Sequence, residues 1–244
     1  RHGHGKRVAI GRDVRMSSPE LHAACVEGLR STGCDVTDIG ISLTPMMYFS
    51  VAFYGFDAGI NITGSHNPKN ENGFKLAVHP FTSIAGDQIQ EVRALIDAAD
   101  FETGQGSLEQ KVIADDYIHE MVGRIHIDKP LKIIMDCGNG TASLYAPRLY
   151  RALGCDVTEL YCDVDGNFPN HLPDPQDHAN MQDLRARVLA DGFDFGVAFD
   201  GDGDRVGIVD AKGTIYLGDI LMIVLCRAML KKYPGATIIC DIKS

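Results

Sequence analysis

Apolar residues in this chain fall into short runs, and the segments between the runs repeat them every three or four positions. Val8 to Ile10 reads as a short strand leading into the charged loop Gly11-Arg12-Asp13-Val14-Arg15. A helix then starts at Ser17 or Ser18: Ser18 suits the N-cap and Pro19 the first helical position. Leu21, Cys25 and Leu29 form its apolar face. Gly33 ends that helix, and Asp35 to Ile39 reads as the next strand. A second helix is predicted over 44–54, a strand over Ala58 to Ile62, and, after a turn at Asn70 to Gly73, a strand around Phe74 to Val78. Leu108 to Ile125 looks helical and connects to a strand at Leu131 to Met135. Strands alternating with helices predict an α/β sheet.

The pattern occurs twice. Arg30-Ser31-Thr32-Gly33-Cys34-Asp35-Val36-Thr37-Asp38 is echoed by Arg151-Ala152-Leu153-Gly154-Cys155-Asp156-Val157-Thr158-Glu159. Gly55-Phe56-Asp57-Ala58-Gly59 is echoed, in the same order, by Gly192-Phe193-Asp194-Phe195-Gly196. Two ordered echoes favour two related α/β domains, divided in the polar, Gly-containing stretch Thr103 to Ser107. The expected architecture is two three-layer α/β domains with mixed sheets, spanning 1–106 and 107–236. In each copy the Phe-Asp-x-Gly strand runs into an unusual loop, and loops at the carboxyl ends of strands are where α/β proteins bind ligands. If the domains face each other, those two loops meet across a cleft.

Composition narrows the function classes. The 244 residues are 45% hydrophobic, enough for a sizeable core. Net charge is −10, with 33 acidic against 23 basic residues, which argues against nucleic acid as a main partner. The longest strictly apolar run, Ile220 to Cys226, is too short to span a bilayer, and residues 1–15 lack the apolar stretch of a secretory signal. Seven cysteines without C-x-x-C or zinc spacing, several within apolar patterns such as Cys25, Cys137 and Cys226, point to buried free thiols in a reducing cytosol. His2 and His4 make a weak metal-binding candidate.

The second unusual loop is Asp200-Gly201-Asp202-Gly203-Asp204-Arg205. Intervening glycines let three carboxylates converge. Converged carboxylates repel unless a cation neutralises them, and all-oxygen ligands favour Mg²⁺ or Ca²⁺. Arg205 adds a fork that suits a phosphate. Asp-Gly pairs also make ordinary turns, but two in succession followed by a third aspartate exceed a turn's need. An EF-hand fails, since its glycine and glutamate positions hold Arg205 and Ala211. The first unusual loop, Thr63-Gly64-Ser65-His66-Asn67-Pro68, is either a strand-to-turn exit or a site where Ser65 exchanges a phosphoryl group. No G-x-S-x-G elbow supports a hydrolase. Arg12 and Arg15 suit either an anionic substrate or a salt bridge to Asp13. Asn139 and Gly140 read as a turn with Thr141 as a helix cap, and His171 as a residue that packs its loop or lines the cleft.

These two loops together resemble those of the α-D-phosphohexomutases, most closely the bacterial phosphomannomutase/phosphoglucomutase kind. Gly11 to Arg15, Gly73-Phe74-Lys75, Asp136-Cys137-Gly138-Asn139-Gly140 and the loop Asp165 to Pro175 extend the resemblance over most of the chain. It implies that Ser65 carries a phosphate in the active form. It further implies that Asp200, Asp202 and Asp204 hold Mg²⁺ with that phosphate, making Ser65 a metal ligand too. Lys75 and Arg205 are expected beside the transferring group, with Lys75 the acid/base candidate, while His66 reads either as an assisting group or as one that positions the loop. A lysine in that role works best when its neighbours tune its pKa downward. The implied reaction interconverts hexose 1-phosphate and 6-phosphate, mannose or glucose, through a hexose 1,6-bisphosphate that also activates the enzyme. Family members usually have four domains, so 237–244 reads as the first strand of a third and the chain as a fragment with weak or absent turnover. The rival reading is a non-catalytic two-domain module that binds metal or phosphate.

Overall fold

The computed structural model describes residues 6–79 and 82–240. In the first half the elements are β1 (Arg7–Arg12), α1 (Ser18–Ser31), β2 (Asp35–Ile41), α2 (Thr44–Tyr54), β3 (Ala58–Ile62), β4 (Phe74–Val78), β5 (Thr82–Ser83), α3 (Asp87–Asp97) and β6 (Leu108–Gln110). In the second half they are α4 (Ala114–Arg124), β7 (Lys132–Asp136), a 3-10 turn at Thr141–Leu144, α5 (Ala146–Ala152), β8 (Asp156–Leu160), α6 (Gln182–Asp191), β9 (Phe195–Phe199), β10 (Val206–Asp210), β11 (Ile215–Tyr216) and α7 (Gly218–Lys232).

Two mixed sheets result, in the orders β5-β4-β3-β1-β2-β6 and β11-β10-β9-β7-β8. Both contain the same unit. The first strand of each unit lies between two parallel neighbours, and the third turns back through an antiparallel partner. The β3–β4 loop carries Ser65 and the β9–β10 loop carries Asp200 to Arg205, so the two unusual loops are topological equivalents.

The five-residue echo has a structural meaning at each position. Gly55 and Gly192 take left-handed backbone (φ +66° and +65°) to close the preceding helix. Phe56 and Phe193 are buried. Asp57 and Asp194 accept the N–H of Arg7 and Lys132, the first residues of β1 and β7. At Gly59 a side chain would run into Met47 and Val51 of α2; at Gly196, into Leu184 and Val188 of α6. Each glycine thus lets a helix lie close on its sheet.

Alternate side chains of β1 face opposite layers. Ile10 packs with Val26 of α1, Val36 and Ile62, whereas Ala9 joins Met46, Met47 and Val51 of α2. That is the three-layer arrangement. The α2 cluster does not stop at the first domain: it continues through Ile133, Met135, Val157 and Val197 of the second. One apolar core therefore underlies both halves.

The structure corrects several sequence expectations. Residues 108–110 form β6 on the first sheet, and the helix starts only at Ala114. Ser18 lies inside α1, where its hydroxyl donates to Asp13 instead of capping. The Thr141 hydroxyl is buried without a partner and caps nothing. Cys137 is buried, while Cys25 and Cys226 are only partly so. Residues 236–240 carry no strand. The rest of that expected strand, and the His2–His4 candidate, lie outside the described residues.

Candidate active site

Ser65 sits at the tip of the β3–β4 loop, with left-handed backbone (φ +51°) and 8% exposure. Such a φ is strained for serine and must be held by its surroundings. Arg15 does much of the holding. Its guanidinium donates to the carbonyl oxygens of Ser65 (2.7 Å), Asn67 (2.8 Å), Pro68 (2.6 Å) and Glu71 (3.1 Å). Its Nε donates to Asp13 at 3.1 Å, and Asp13 also accepts the Gly64 N–H. Gly64 has no room for a side chain, since a Cβ would lie 2.5 Å from Arg15 Cζ. Arg15 is thus fully engaged with Asp13 and the loop, and its buried side chain is not free to meet a substrate.

The equivalent loop of the second domain comes up against the first. Ser65 Oγ donates to Asp200 Oδ2 at 2.8 Å, so the two loops meet. Asp200 Oδ1 accepts the N–H groups of Asp204 and Arg205, which curls the loop around it. Lys75, on β4, lies 2.6 Å from both Asp202 Oδ2 and Asp204 Oδ2, with Nζ 3.5 Å from Ser65 Oγ. Arg205 donates to Gln176 Oε1 at 3.2 Å. His66 Nδ1 is buried without a hydrogen-bond partner. A cavity of about 500 Å³ opens over this group, lined by the serine loop, Asn72 to Lys75, Asp204 and Arg205.

The electrostatics are those of a crowded acidic site. Burial, then repulsion from Asp202 and Asp204, pushes the Asp200 carboxyl up to about 7. Burial acts the same way on Asp202, but Lys75 and the Thr44 hydroxyl outweigh it and hold Asp202 below the usual carboxylate range. Burial lowers the Lys75 pKa, yet its two carboxylate partners more than offset this and the net shift is upward. The downward tuning expected of this lysine is therefore absent, because it sits between two anions. Burial and the nearby Arg205 and Lys75 charges lower the His66 pKa, favouring its neutral form.

The donor set fits a hard divalent cation. One oxygen from each of Asp200, Asp202 and Asp204 lies within 4.8 Å of the others. Asp202 Oδ1 is buried with no partner, a costly state that a cation would relieve. All three donors are carboxylate oxygens, the ligand type of hard cations such as Mg²⁺ and Ca²⁺.

Sequence reasoning missed Thr44, Gln176 and the spending of Arg15. Thr44 is separated from Asp202 by 158 positions, and no spacing rule reaches that far. His171 bonds Asp136 Oδ2 (3.0 Å) and the Leu172 carbonyl (2.9 Å), so it packs its loop as expected.

A serine on one α/β domain thus faces a carboxylate trio on a second α/β domain of like topology, across one shared cleft. The chain belongs to the phosphoglucomutase/phosphomannomutase family: it matches that family's alpha/beta/alpha domain I over residues 1–103 and its alpha/beta/alpha domain II over 115–213. It is 47% identical over 236 residues to the phosphomannomutase/phosphoglucomutase of Pseudomonas aeruginosa, covering 97% of this chain and 51% of that protein. A phosphoglucomutase of Neisseria gonorrhoeae is 42% identical over 240 residues, covering 98% and 52%. A crystal structure of a phosphoglucomutase/phosphomannomutase family protein from Burkholderia thailandensis superposes with a TM-score of 0.91 at 46% identity, covering 96% of this chain and 52% of that one. The chain thus spans about half the length of the curated relatives it matches.

Proposed function

We propose that this chain carries the phosphoryl-exchanging part of a phosphohexomutase that interconverts hexose 1-phosphate and 6-phosphate, with mannose or glucose as the sugar. The observation that carries the reading is the meeting of Ser65 Oγ with Asp200 Oδ2 at 2.8 Å and with Lys75 Nζ at 3.5 Å. In the loaded state Ser65 Oγ bears the phosphoryl group. A sugar hydroxyl attacks the phosphorus, its oxygen forms the new P–O bond, and the bond to Ser65 Oγ breaks. Lys75, held protonated, lies where it can give a proton to the departing serine oxygen and take back the proton released by the attacking hydroxyl. Arg205 and Lys75 line the cavity with positive charge for the phosphate oxygens, and neutral His66 supports the loop. The reverse transfer, from a hexose 1,6-bisphosphate to Ser65, reloads the serine, which makes the bisphosphate an activator. Asp200, Asp202 and Asp204 would hold the cation, with an oxygen on Ser65 completing the set. A bound Mg²⁺ supplies positive charge against the phosphate oxygens. We further infer a cytosolic location, as expected of a sugar-phosphate enzyme.

Full turnover needs the bisphosphate to present its other phosphate, and this chain covers half the length of its relatives. Serine loading is therefore the step to test. Incubation with glucose 1,6-bisphosphate and Mg²⁺ should add one phosphoryl group, read by intact mass, and Ser65→Ala should abolish it. A folded chain that gains no mass would instead favour a non-catalytic metal- or phosphate-binding module.

A further inference from the structure

A buried line of polar groups runs from the first domain into the acidic loop of the second. Ser42, Thr44, Asn61 and Asp202 are each 0% exposed. Ser42 Oγ donates to Asn61 Oδ1 (3.2 Å), Asn61 Nδ2 donates to Thr44 Oγ1 (2.9 Å), and Thr44 Oγ1 donates to Asp202 Oδ2 (2.5 Å). The direction follows from the far end. An ionised carboxylate only accepts, so the Thr44 hydroxyl must give its single proton to Asp202. Its lone pairs then need a donor, and the Asn61 amide nitrogen is one. That leaves Asn61 Oδ1 to accept from Ser42. A reversed Asn61 amide would set a carbonyl against Thr44 and compete with Asp202 for the same proton.

The same threonine makes a second link, since its backbone N–H donates to the Asp202 carbonyl at 3.0 Å. It also opens α2, whose Met46, Met47 and Val51 are locked in the shared apolar core. The hydroxyl is therefore mounted on a rigid element. Asp202 is left with two unlike oxygens: Oδ2 takes Thr44 and Lys75, and Oδ1 is buried with no partner.

We propose that Thr44, backed by Asn61 and Ser42, is a positioning residue for the cation site. It fixes the Asp202 carboxylate so that Oδ1 is the oxygen left for the ion. Groups that orient a metal ligand set affinity as well as geometry. Here the orienting group belongs to the other domain, so cation affinity in the second-domain loop depends on α2 of the first. The inference rests on the reading that the acidic trio binds a divalent cation.

The test uses the whole 244-residue chain and Mn²⁺ as the probe, with binding followed by electron paramagnetic resonance and folding by thermal melting. Asp204→Asn serves as the control for the trio. Thr44→Val keeps the shape and removes the donor, and should weaken Mn²⁺ binding by about tenfold or more. Thr44→Ser restores the hydroxyl and should recover most of the affinity. If the valine protein does not fold, Thr44→Ala is read the same way. Equal affinity in wild type and the donor-less variant overturns the role of Thr44. So does a serine variant as weak as the valine one, because packing and not the hydroxyl would then be at stake. A wild-type chain that binds no Mn²⁺, or an Asp204→Asn variant that binds it as well as wild type does, overturns the cation reading itself, and the proposal with it.

Discussion

Arg15 spends all the donors it has inside the protein. A guanidinium carries five N–H groups. Here they go to Asp13 and to the carbonyls of Ser65, Asn67, Pro68 and Glu71. The Phe168 ring lies 5.1 Å from Arg15 Cζ and brings in the second domain. Arg15→Met would leave Asp13 buried without its cation, and breaking such a pair costs about 3–5 kcal/mol. Urea unfolding should show that loss, and phosphoryl uptake by Ser65 should fall in protein that is still folded. An unchanged urea midpoint would mean that the loop does not depend on Arg15. At this scale the carboxylate trio was legible in its own short run, whereas Thr63 to Pro68 read equally as a turn exit and Ser65 stood out only through the resemblance. Arg15 was not legible, because a salt bridge to Asp13 and a substrate contact look alike in Gly11 to Arg15. Only the fold decides which carbonyls come within reach.

Among the elements, the segment 163–175 is pinned from several sides. Pro173 lies against Gly138, and Gly166 against the backbone of Val14 and Arg15. His171 bonds Asp136 on β7 and the Leu172 carbonyl, while Tyr161 stacks edgewise on its ring and donates to Asp183. Both imidazole nitrogens face acceptors, so the protonated ring satisfies both. Burial lowers the His171 pKa, but the bond to Asp136 and its charge, with Leu172 and Asp183, raise it further than burial lowers it. A folded pKa above the unfolded value gives stability that is complete below about pH 6.5 and is lost as pH rises through the folded pKa. Hydrogen exchange of the 163–175 amides should therefore speed up on the alkaline side more than chemistry alone requires, and His171→Asn should remove that excess. The same pH profile in both proteins would refute the link. The elements themselves were largely legible from periodicity, and the Gly-Phe-Asp-x-Gly echo marked the strands that lead into both loops. Residues 108–110 misled because strand pairing with β2 outweighs a weak helical pattern in so short a segment.

At the scale of the whole molecule, the repeat placed Ser65 and Asp200 on equivalent loops but left open whether the domains face. The signal that bears on this lies in α2. Thr-Pro-Met-Met-Tyr-Phe-Ser-Val-Ala-Phe-Tyr is apolar on nearly every side, more than one sheet can cover, although Phe53 stays 52% exposed. Its own sheet covers one side, and the second domain contributes Ile133, Met135, Val157 and Val197 to the same cluster. Tyr145 adds a hydrogen bond across the boundary to the Ile41 carbonyl, and Thr141 N–H reaches Gly201 within the second domain's own loop system. Because the core is shared, the halves should not melt independently. Met47 is 0% exposed at its centre, and Met47→Ala should cost about 2–5 kcal/mol. The informative readout is where that cost appears. Native-state hydrogen exchange should show β7 and β9 amides losing protection together with those of β1 and β3. If only the first sheet responds, the two domains are separate folding units, and the meeting of the two loops depends on surface contacts instead of a common interior.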